Sequence, residues 1–350
     1  MARAVVLPPG TDAAGYRLLN DWQRDFPLEA RPFAALGAQV GLAEDAVIAA
    51  YRDWKARGVV SRIGAVFAPH RLGASALVAL AAPPSQLEAV AARVSAEPAV
   101  NHNYEREHHF NLWFVATAAD AQALAHTIDA IGRDTGCPVI RLPLLEEFHI
   151  DLGFDLAGAS SPRRAAPVAV ARDASLQGAP SDDGALSARA RRVLGALQDG
   201  LPLVAAPYAE LGRRAGCSEA EVLDAIAAAQ SDGVIRRFGV VLRHHELGLG
   251  ANAMCVWDVP DDVVGEYGRR LAEEPLVTLC YRRPRVLPDW RYNLFCMIHG
   301  SAREAVIAAR DDIAARLGLD AWPHAVLFSG RRFKQRGARY LPHGEGACHA

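Results

Sequence analysis

The hydrophobic pattern of the chain opens with helical spacing. Apolar residues recur with a helical period over residues 16–24, 32–41 and 42–58, and this predicts three helices. Gly41 separates the last two helices, while Glu44 and Gly58 suit the start and the end of the third. Residues 59–69 (VVSRIGAVFAP) then alternate as a two-stranded wing would. This order is typical of a winged helix-turn-helix domain.

A second pattern follows. Strand-like runs at residues 74–82, 110–118 and 139–150 enclose helical runs at 84–98 and 120–136, and VNHNYERE leads into the second of these strands. Strand-helix-strand-strand-helix-strand units fold as ferredoxin-like α+β sandwiches. We therefore expect a ferredoxin-like (βαββαβ) domain after the winged helix-turn-helix.

The same order then occurs again. Gly58 and Gly233 open the related stretches GVVSRIGAVFAPHRLG and GVIRRFGVVLRHHELG, and the offset of 175 also aligns the residues upstream without a gap. Farther along, Tyr104 to Arg106 falls opposite Tyr281 to Arg283, where the second copy carries about five extra residues. An ungapped register of this length indicates a duplication, so the predicted fold class is α+β, as a tandem repeat.

The repeat sets the predicted domains. Residues 156–185 are rich in Ala, Ser, Pro, Gly and Asp without a period and predict a linker. The predicted boundaries are 15–67 and 186–242 for the winged helix-turn-helix units, 70–155 and 245–341 for the ferredoxin-like domains, and 342–350 for a disordered tail.

Composition narrows the class of protein. Hydrophobic residues make up 51% of the 350 residues, which is typical of a globular chain, and a net charge of −2 gives no general attraction to nucleic acid or anionic lipid. No apolar run is long enough to span a bilayer, and the start is too short in its apolar part for a secretory signal. The six cysteines form no C-x-x-C pair, so no metal site is expected. We predict a cytoplasmic protein with no membrane partner.

The two recognition helices are acidic where DNA binding would require basic residues. This layout resembles the Lrp/AsnC family, and that resemblance implies a ligand-responsive transcription regulator. However, the recognition helix of the first copy begins with Glu44 and Asp45, and the second carries Glu219, Glu221 and Asp224 without a basic residue. DNA affinity depends on Lys and Arg at phosphates. We therefore expect no DNA binding, and ligand-responsive regulation of transcription is the alternative function.

Chemistry concentrates in two matched stretches. NHNYEREHHFNLWFV (101–115) offers His102, Tyr104, Arg106, His108 and His109, and YRRPRVLPDWRYNLF (281–295) offers Tyr281, Arg283, Arg285, Trp290 and Tyr292; SGRRFKQRGARY adds Arg332 and Lys334. Guanidinium groups bind carboxylates, imidazole carries protons or ligates iron, and aromatic rings stack on flat ligands. The set predicts a pocket for a large, planar, polycarboxylated molecule. Because adjacent residues at a strand edge point to opposite faces, at most one of His108 and His109 should face it.

At these residues the chain resembles the siroheme decarboxylases, in the fused form in which a NirD-like half precedes a NirL-like half. YEREHHFNLWFV is similar to the motif of the first half, and CYRRPRVLPDWRYNLFCMIHG and FKQRGARY to those of the second. His149 stands where related halves often carry Lys. The resemblance implies decarboxylation of two acetate side chains of siroheme to methyl groups, toward haem d1. It implies no cofactor beyond the iron of the siroheme, and we expect a homodimer of the fused chain.

Roles follow from the resemblance as hypotheses. Four residues are candidates to protonate the new methylene carbon, with Tyr292 as a further donor: His108, His109, Tyr104 and Tyr281. The others are candidates to bind substrate: His102, Arg106, Arg283, Arg285, Trp290, Tyr292, Arg332 and Lys334. One histidine as an iron ligand, one half as the catalytic half, and a non-catalytic tetrapyrrole carrier all remain open.

Overall fold

The computed structural model describes residues 11–68, 71–150, 186–242, 251–300 and 302–341. The predicted linker (156–185) and tail (342–350) lie outside these ranges. Two helical units and one large sheet make up the described part of the chain. The predicted tandem α+β repeat is confirmed.

The two helical units begin and end at equivalent residues. The first has α1 (Ala13–Asn20), α2 (Pro32–Val40) and α3 (Glu44–Ala56), and the second has α6 (Ala188–Leu197), α7 (Pro207–Ala215) and α8 (Glu219–Ser231). Proline opens α2 and α7, and Gly41 and Gly216 close them with φ of 76° and 66°, which the missing Cβ of glycine permits. No single described helix is long and apolar enough to cross a membrane; only α2 and α3 together, bent by 99° at their break, reach that length and composition.

The two units share one wing and one core. The prediction of a two-stranded wing in each half is wrong: each half gives one strand, and β1 (Val60–Phe67) pairs antiparallel with β7 (Ile235–Leu242), with Gly64 opposite Gly239. The alternating pattern predicted extended backbone correctly, but it contains no turn signal that would close a hairpin. A single apolar cluster runs through both units and includes Tyr340 and Leu341 near the chain end.

The remaining strands form one nine-stranded sheet in the order β5-β2-β4-β3-β11-β8-β10-β9-β6. The first half contributes β2 (Ala74–Leu80), β3 (Val100–Arg106), β4 (Leu112–Ala118), β5 (Val139–Pro143) and β6 (Glu146–Ile150), and the second contributes β8 (Ala251–Trp257), β9 (Val277–Arg282), β10 (Leu294–Gly300) and β11 (His324–Gln335). The helices α4 (Leu87–Ala96), α5 (Ala121–Thr135), α9 (Val264–Ala272) and α10 (Arg303–Leu317) pack on the outer face of this sheet.

The last strand of each half crosses to the other half. β11 pairs with β8 through residues 324–328 and with β3 through residues 329–335. Residues 139–150 were expected to form one strand, and this prediction is wrong: they divide into β5, which pairs with β2, and β6, which pairs with β9. Only Leu144 and Leu145 join these strands, which form the two ends of the sheet. The sheet therefore folds back on itself.

The face without helices is enclosed by this fold, and we call it the inner face. Its apolar cluster takes side chains from both halves: Ala79, Phe110, Trp113, Ile140, Leu142, Met254, Val256, Trp290, Phe295 and Leu327. Burial of so much apolar surface between the halves stabilises their association. The matched Asn111 and Asn293 are structural, because each side-chain amide bonds the backbone N–H and carbonyl of one residue, Ala82 and Val259 respectively.

Candidate active site between the two halves

Strand β3 directs three of the predicted residues to the inner face. The Asn103 side chain donates to the carbonyl of Ala91 on α4 and so faces outward. Because strand residues alternate, His102, Tyr104 and Arg106 face inward. The rings of His102 and Tyr104 stack with centroids 6.3 Å apart. Burial, together with the Arg62 guanidinium, lowers the pKa of His102 to about 4, so its imidazole is neutral at physiological pH.

Arg106 carries a buried positive charge, and one edge of its guanidinium has no oxygen acceptor in the described structure. Its Nη1 donates to the Leu327 carbonyl (3.2 Å) and to Ser329 Oγ (2.9 Å), and Nη2 lies 3.9 Å from Met297 Sδ. The buried Nε has no hydrogen-bond acceptor among the described residues. Burial lowers the pKa of Arg106 to about 10, so the group stays protonated near neutrality. An Nε–Nη2 edge that meets only a weak sulfur acceptor is able to take a carboxylate bidentately.

Arg283 is the counterpart from the second half. Its Nη1 donates to the Leu142 carbonyl (2.6 Å), and its guanidinium lies 5.0 Å from the Tyr281 ring centroid and 6.0 Å from that of Phe295. Its Nε is also buried without an acceptor in the described structure. Burial lowers the pKa of Arg283 to about 10. Each guanidinium is thus held by a leucine carbonyl of the opposite half.

Tyr281 lies near Arg283 and interacts electrostatically with both guanidiniums. Burial raises the pKa of its phenol, and the guanidiniums of Arg283 and Arg106 partly offset that rise. The phenol therefore remains protonated at neutral pH and is able to donate a hydrogen bond. Within the described residues, neither guanidinium forms an ion pair with a carboxylate. Two buried cations without counterions indicate a site for an anionic ligand.

His108 is half-buried and His109 is exposed, and the backbone that carries them is not the predicted strand edge. His108 and His109 lie in the turn between β3 and β4 rather than at a strand edge. The Phe110 N–H donates to His108 Nδ1 (3.1 Å), so the neutral ring carries its proton on Nε2. Burial and the neighbouring His109 lower the pKa of His108. His109 is exposed and packs on the Phe110 ring, 5.1 Å between centroids.

The extra residues of the second half include Trp290, which packs against the turn between β3 and β4. Reciprocal backbone hydrogen bonds of 2.7 Å between Val286 and Trp290 close a short loop. The Trp290 ring is fully buried, with its centroid 5.3 Å from His108 and 5.1 Å from Trp113 of the first half. Tyr292 packs on its other side at 5.1 Å. Trp290 thus joins the two matched stretches as an interior contact, and its Nε1 has no acceptor in the described structure.

Three other predicted residues have partners elsewhere. Arg285 forms ion pairs with Asp258 (2.8 Å) and Asp261 (3.1 Å), which compensate its charge. Arg332 is exposed and donates to Gln335. Lys334 Nζ donates to carbonyls at the C-terminal end of α4, where a cation is favourable.

The structure adds residues that the sequence analysis missed. His299 of β10 lies near Arg106, and burial together with that guanidinium lowers its pKa to about 4. Ser329 bonds Arg106 and in turn donates to Asn252 Oδ1. The signal was the alternation of β10, which directs Met297 and His299 to the same face as Phe295.

Comparisons with known proteins identify both kinds of domain. Residues 16–60 and 190–236 match the siroheme decarboxylase NirDL-like HTH domain, and residues 71–149 and 246–334 match the AsnC-like ligand binding domain. The siroheme decarboxylase NirDL subunit of Paracoccus denitrificans (strain Pd 1222) is 44% identical over 327 residues, which cover 93% of this chain and 97% of that protein.

More distant relatives agree with this match. A siroheme decarboxylase of Hydrogenobacter thermophilus (strain DSM 6534 / IAM 12695 / TK-6) is 33% identical over 93% of this chain and 94% of its own length. The crystal structure of the siroheme decarboxylase NirDL in co-complex with an iron-uroporphyrin III analogue superposes with a TM-score of 0.62 and 29% identity, covering 91% of both chains.

Proposed function

Because this chain belongs to the siroheme decarboxylase family, we propose that it removes CO2 from two acetate side chains of siroheme. The product is 12,18-didecarboxysiroheme, in which both side chains have become methyl groups, and the reaction serves haem d1 biosynthesis. The observation that carries the proposal is the pair of buried guanidiniums, Arg106 and Arg283, without carboxylate partners on the inner face. A polycarboxylated tetrapyrrole supplies the anions that such a pair requires.

The two arginines bind and orient the substrate. Each has Nη1 fixed on a backbone carbonyl, which leaves the Nε–Nη2 edge for a side-chain carboxylate of the macrocycle. Binding at two points holds the ring in one plane, so that the carbon–carbon bond of a reacting acetate stands out of that plane and overlaps the π system. The electron pair of the breaking bond then enters the macrocycle as CO2 leaves. The macrocycle accepts these electrons, so no cofactor beyond the siroheme iron is required.

A proton donor completes each methyl group. His108 would give the proton on Nε2, which it carries because its Nδ1 accepts the Phe110 N–H, and the half-buried ring would regain a proton from solvent. The same arrangement disfavours His108 as an iron ligand, since the neutral ring offers no free nitrogen lone pair. Tyr281, which is buried and protonated, is the donor that the second half offers. Tyr104 on the inner face and the exposed His109 are the remaining candidates.

Regulation of transcription is less well supported than catalysis. Glu44, at the start of the first recognition helix, forms an ion pair with Arg31, and Arg213 and Arg214 both pair with Glu210. The two wing strands pair with each other across the halves. These groups are therefore already used within the chain. Assembly as a homodimer and a cytoplasmic location remain predictions.

Anaerobic incubation with siroheme, followed by mass spectrometry of the tetrapyrrole, tests the proposal. Loss of two CO2 masses supports the enzyme. An unchanged mass with a shifted absorption spectrum indicates a tetrapyrrole carrier or sensor instead. A DNA-binding assay with and without siroheme then separates the carrier from the regulator.

A further inference from the structure

The two buried arginines differ in how firmly they are fixed. Arg106 Nη1 has two acceptors, the Leu327 carbonyl and Ser329 Oγ, and Ser329 in turn donates its hydroxyl proton to Asn252 Oδ1. Arg283 Nη1 has only a backbone carbonyl among the described residues. In this hydrogen-bond network the Ser329 hydroxyl accepts from Arg106 and donates to Asn252. Because both bonds are made, the network restricts the rotation of the guanidinium.

This chain of hydrogen bonds has no equivalent around Arg283. The strand registers give Leu142 of β5 the position that Leu327 takes in β11. When both registers are continued by two residues, Leu144 of the first half takes the position of Ser329, and Ser75 takes that of Asn252. A leucine side chain accepts no hydrogen bond. The duplicated halves have therefore kept the arginine and diverged at the residues that hydrogen-bond to it.

We infer that Ser329 and Asn252 are positioning residues that fix Arg106 for orienting the reacting acetate, whereas Arg283 serves binding. The inference rests on the proposed function and assigns unequal roles to its two arginines. With Nη1 locked, the Nε–Nη2 edge of Arg106 points in one direction, and the carboxylate bound there takes one orientation. Orientation matters in the transition state, where the breaking bond must overlap the ring, more than in binding.

Steady-state kinetics on the full chain separate positioning from binding. Ser329→Ala removes the hydroxyl but leaves the charge of Arg106, so kcat should fall about tenfold while KM changes less than about twofold. Ser329→Thr keeps the hydroxyl and should restore kcat to within about threefold of the wild type. Ser75→Ala, at the counterpart of Asn252, is the matched control. It removes a hydroxyl that bonds Tyr340 and should leave both constants unchanged. Thermal melting of each variant verifies folding.

A second measurement does not depend on turnover. The Nη1–H signal of Arg106, the group that donates to Ser329, is assigned by its loss in Arg106→Lys. It should exchange with solvent slowly in the wild type and in Ser329→Thr, and about tenfold faster in Ser329→Ala. Unchanged exchange and unchanged kinetics in Ser329→Ala overturn the inference, as does a rise in KM with kcat unaltered. If the wild type itself releases no CO2, the proposed function fails, and the exchange rates alone then decide whether Ser329 fixes Arg106.

Discussion

At the scale of the residue, three arginines from the matched stretches differ in what surrounds them. Arg285 is neutralised by Asp258 and Asp261, whereas Arg106 and Arg283 have, among the described residues, only carbonyl, hydroxyl or sulfur partners. A buried cation without a counterion is costly unless a ligand supplies one. The surroundings, rather than the residue type, therefore make Arg106 and Arg283 the carboxylate-binding pair.

Replacing each arginine by lysine tests this distinction. Arg283→Lys keeps the charge but loses the bidentate fork, so KM for siroheme should rise roughly tenfold or more. Arg285→Lys should change KM less than about threefold, because its charge is already compensated by two carboxylates. Equal effects of the two substitutions on KM would contradict the assignment.

The buried histidines predict how stability depends on pH. His102 and His299 have pKa values lowered from 6.5 to about 4, so the unfolded chain binds their protons first. The stability they contribute is fully present above pH 6.5 and is lost as the pH falls toward 4, by about 1.4 kcal/mol per pH unit for each. Denaturant unfolding at several pH values should give a shallower loss for His299→Gln than for the wild type. His126→Gln, on an exposed position of α5, should follow the wild type.

The sequence indicated which residues lie at the site better than it indicated which partners those residues contact. The alternation of β3 is visible in NHNYER, so the grouping of His102, Tyr104 and Arg106 on one face was predictable. The support of Arg106 by Ser329 was not predictable, because those residues are 223 positions apart and no local pattern encodes their meeting. The ion pairs of Arg285 with Asp258 and Asp261 could not be predicted either, because no local pattern encodes those contacts.

At the scale of the element, exchanged strands join the halves. β6 of the first half lies on β9 and places Phe148 against α9 of the second half, where a Cβ added at Gly268 would overlap that ring. The predicted single strand over 139–150 failed because it ran through Pro143, which has no N–H to donate to a strand ladder and at which β5 ends. Leu144 and Leu145 show no turn signal, and their side chains suit a strand.

Gly268→Ala tests the docking of β6. The new methyl group overlaps the Phe148 ring, so β6 should lose contact with α9, and the chain should lose about 1–3 kcal/mol of stability. Hydrogen exchange should accelerate at the amides of residues 146–150 and not at those of β2. Gly265→Ala is the control, because its Cβ meets only the tip of Arg269 at 3.4 Å. Unchanged exchange in β6 after Gly268→Ala would contradict this account of the docking.

At the scale of the whole molecule, the halves complete each other. The wing strands pair across the halves, the sheet is continuous, and the inner-face cluster takes residues from both. Each buried arginine is held by a carbonyl of the opposite half. Duplication was evident from the sequence, but this mutual dependence was not, because a repeat pattern does not show which copy a strand pairs with.

Separate expression of residues 1–155 and 186–350 tests this dependence. Together, the two pieces should copurify as a complex, because exchange of β6 and β11 joins them without the intervening segment. Alone, each piece should have a markedly lower melting temperature, since the strand and core face of its partner are missing. Two pieces that fold alone and do not associate in size-exclusion chromatography would contradict the exchange.

An anaerobic crystal structure of this chain with siroheme would locate the substrate directly. We expect one tetrapyrrole on the inner face between the halves, with separate carboxylates bidentate on the Nε–Nη2 edges of Arg106 and Arg283. A tetrapyrrole bound elsewhere, with both guanidinium edges free of substrate carboxylates, would contradict the account.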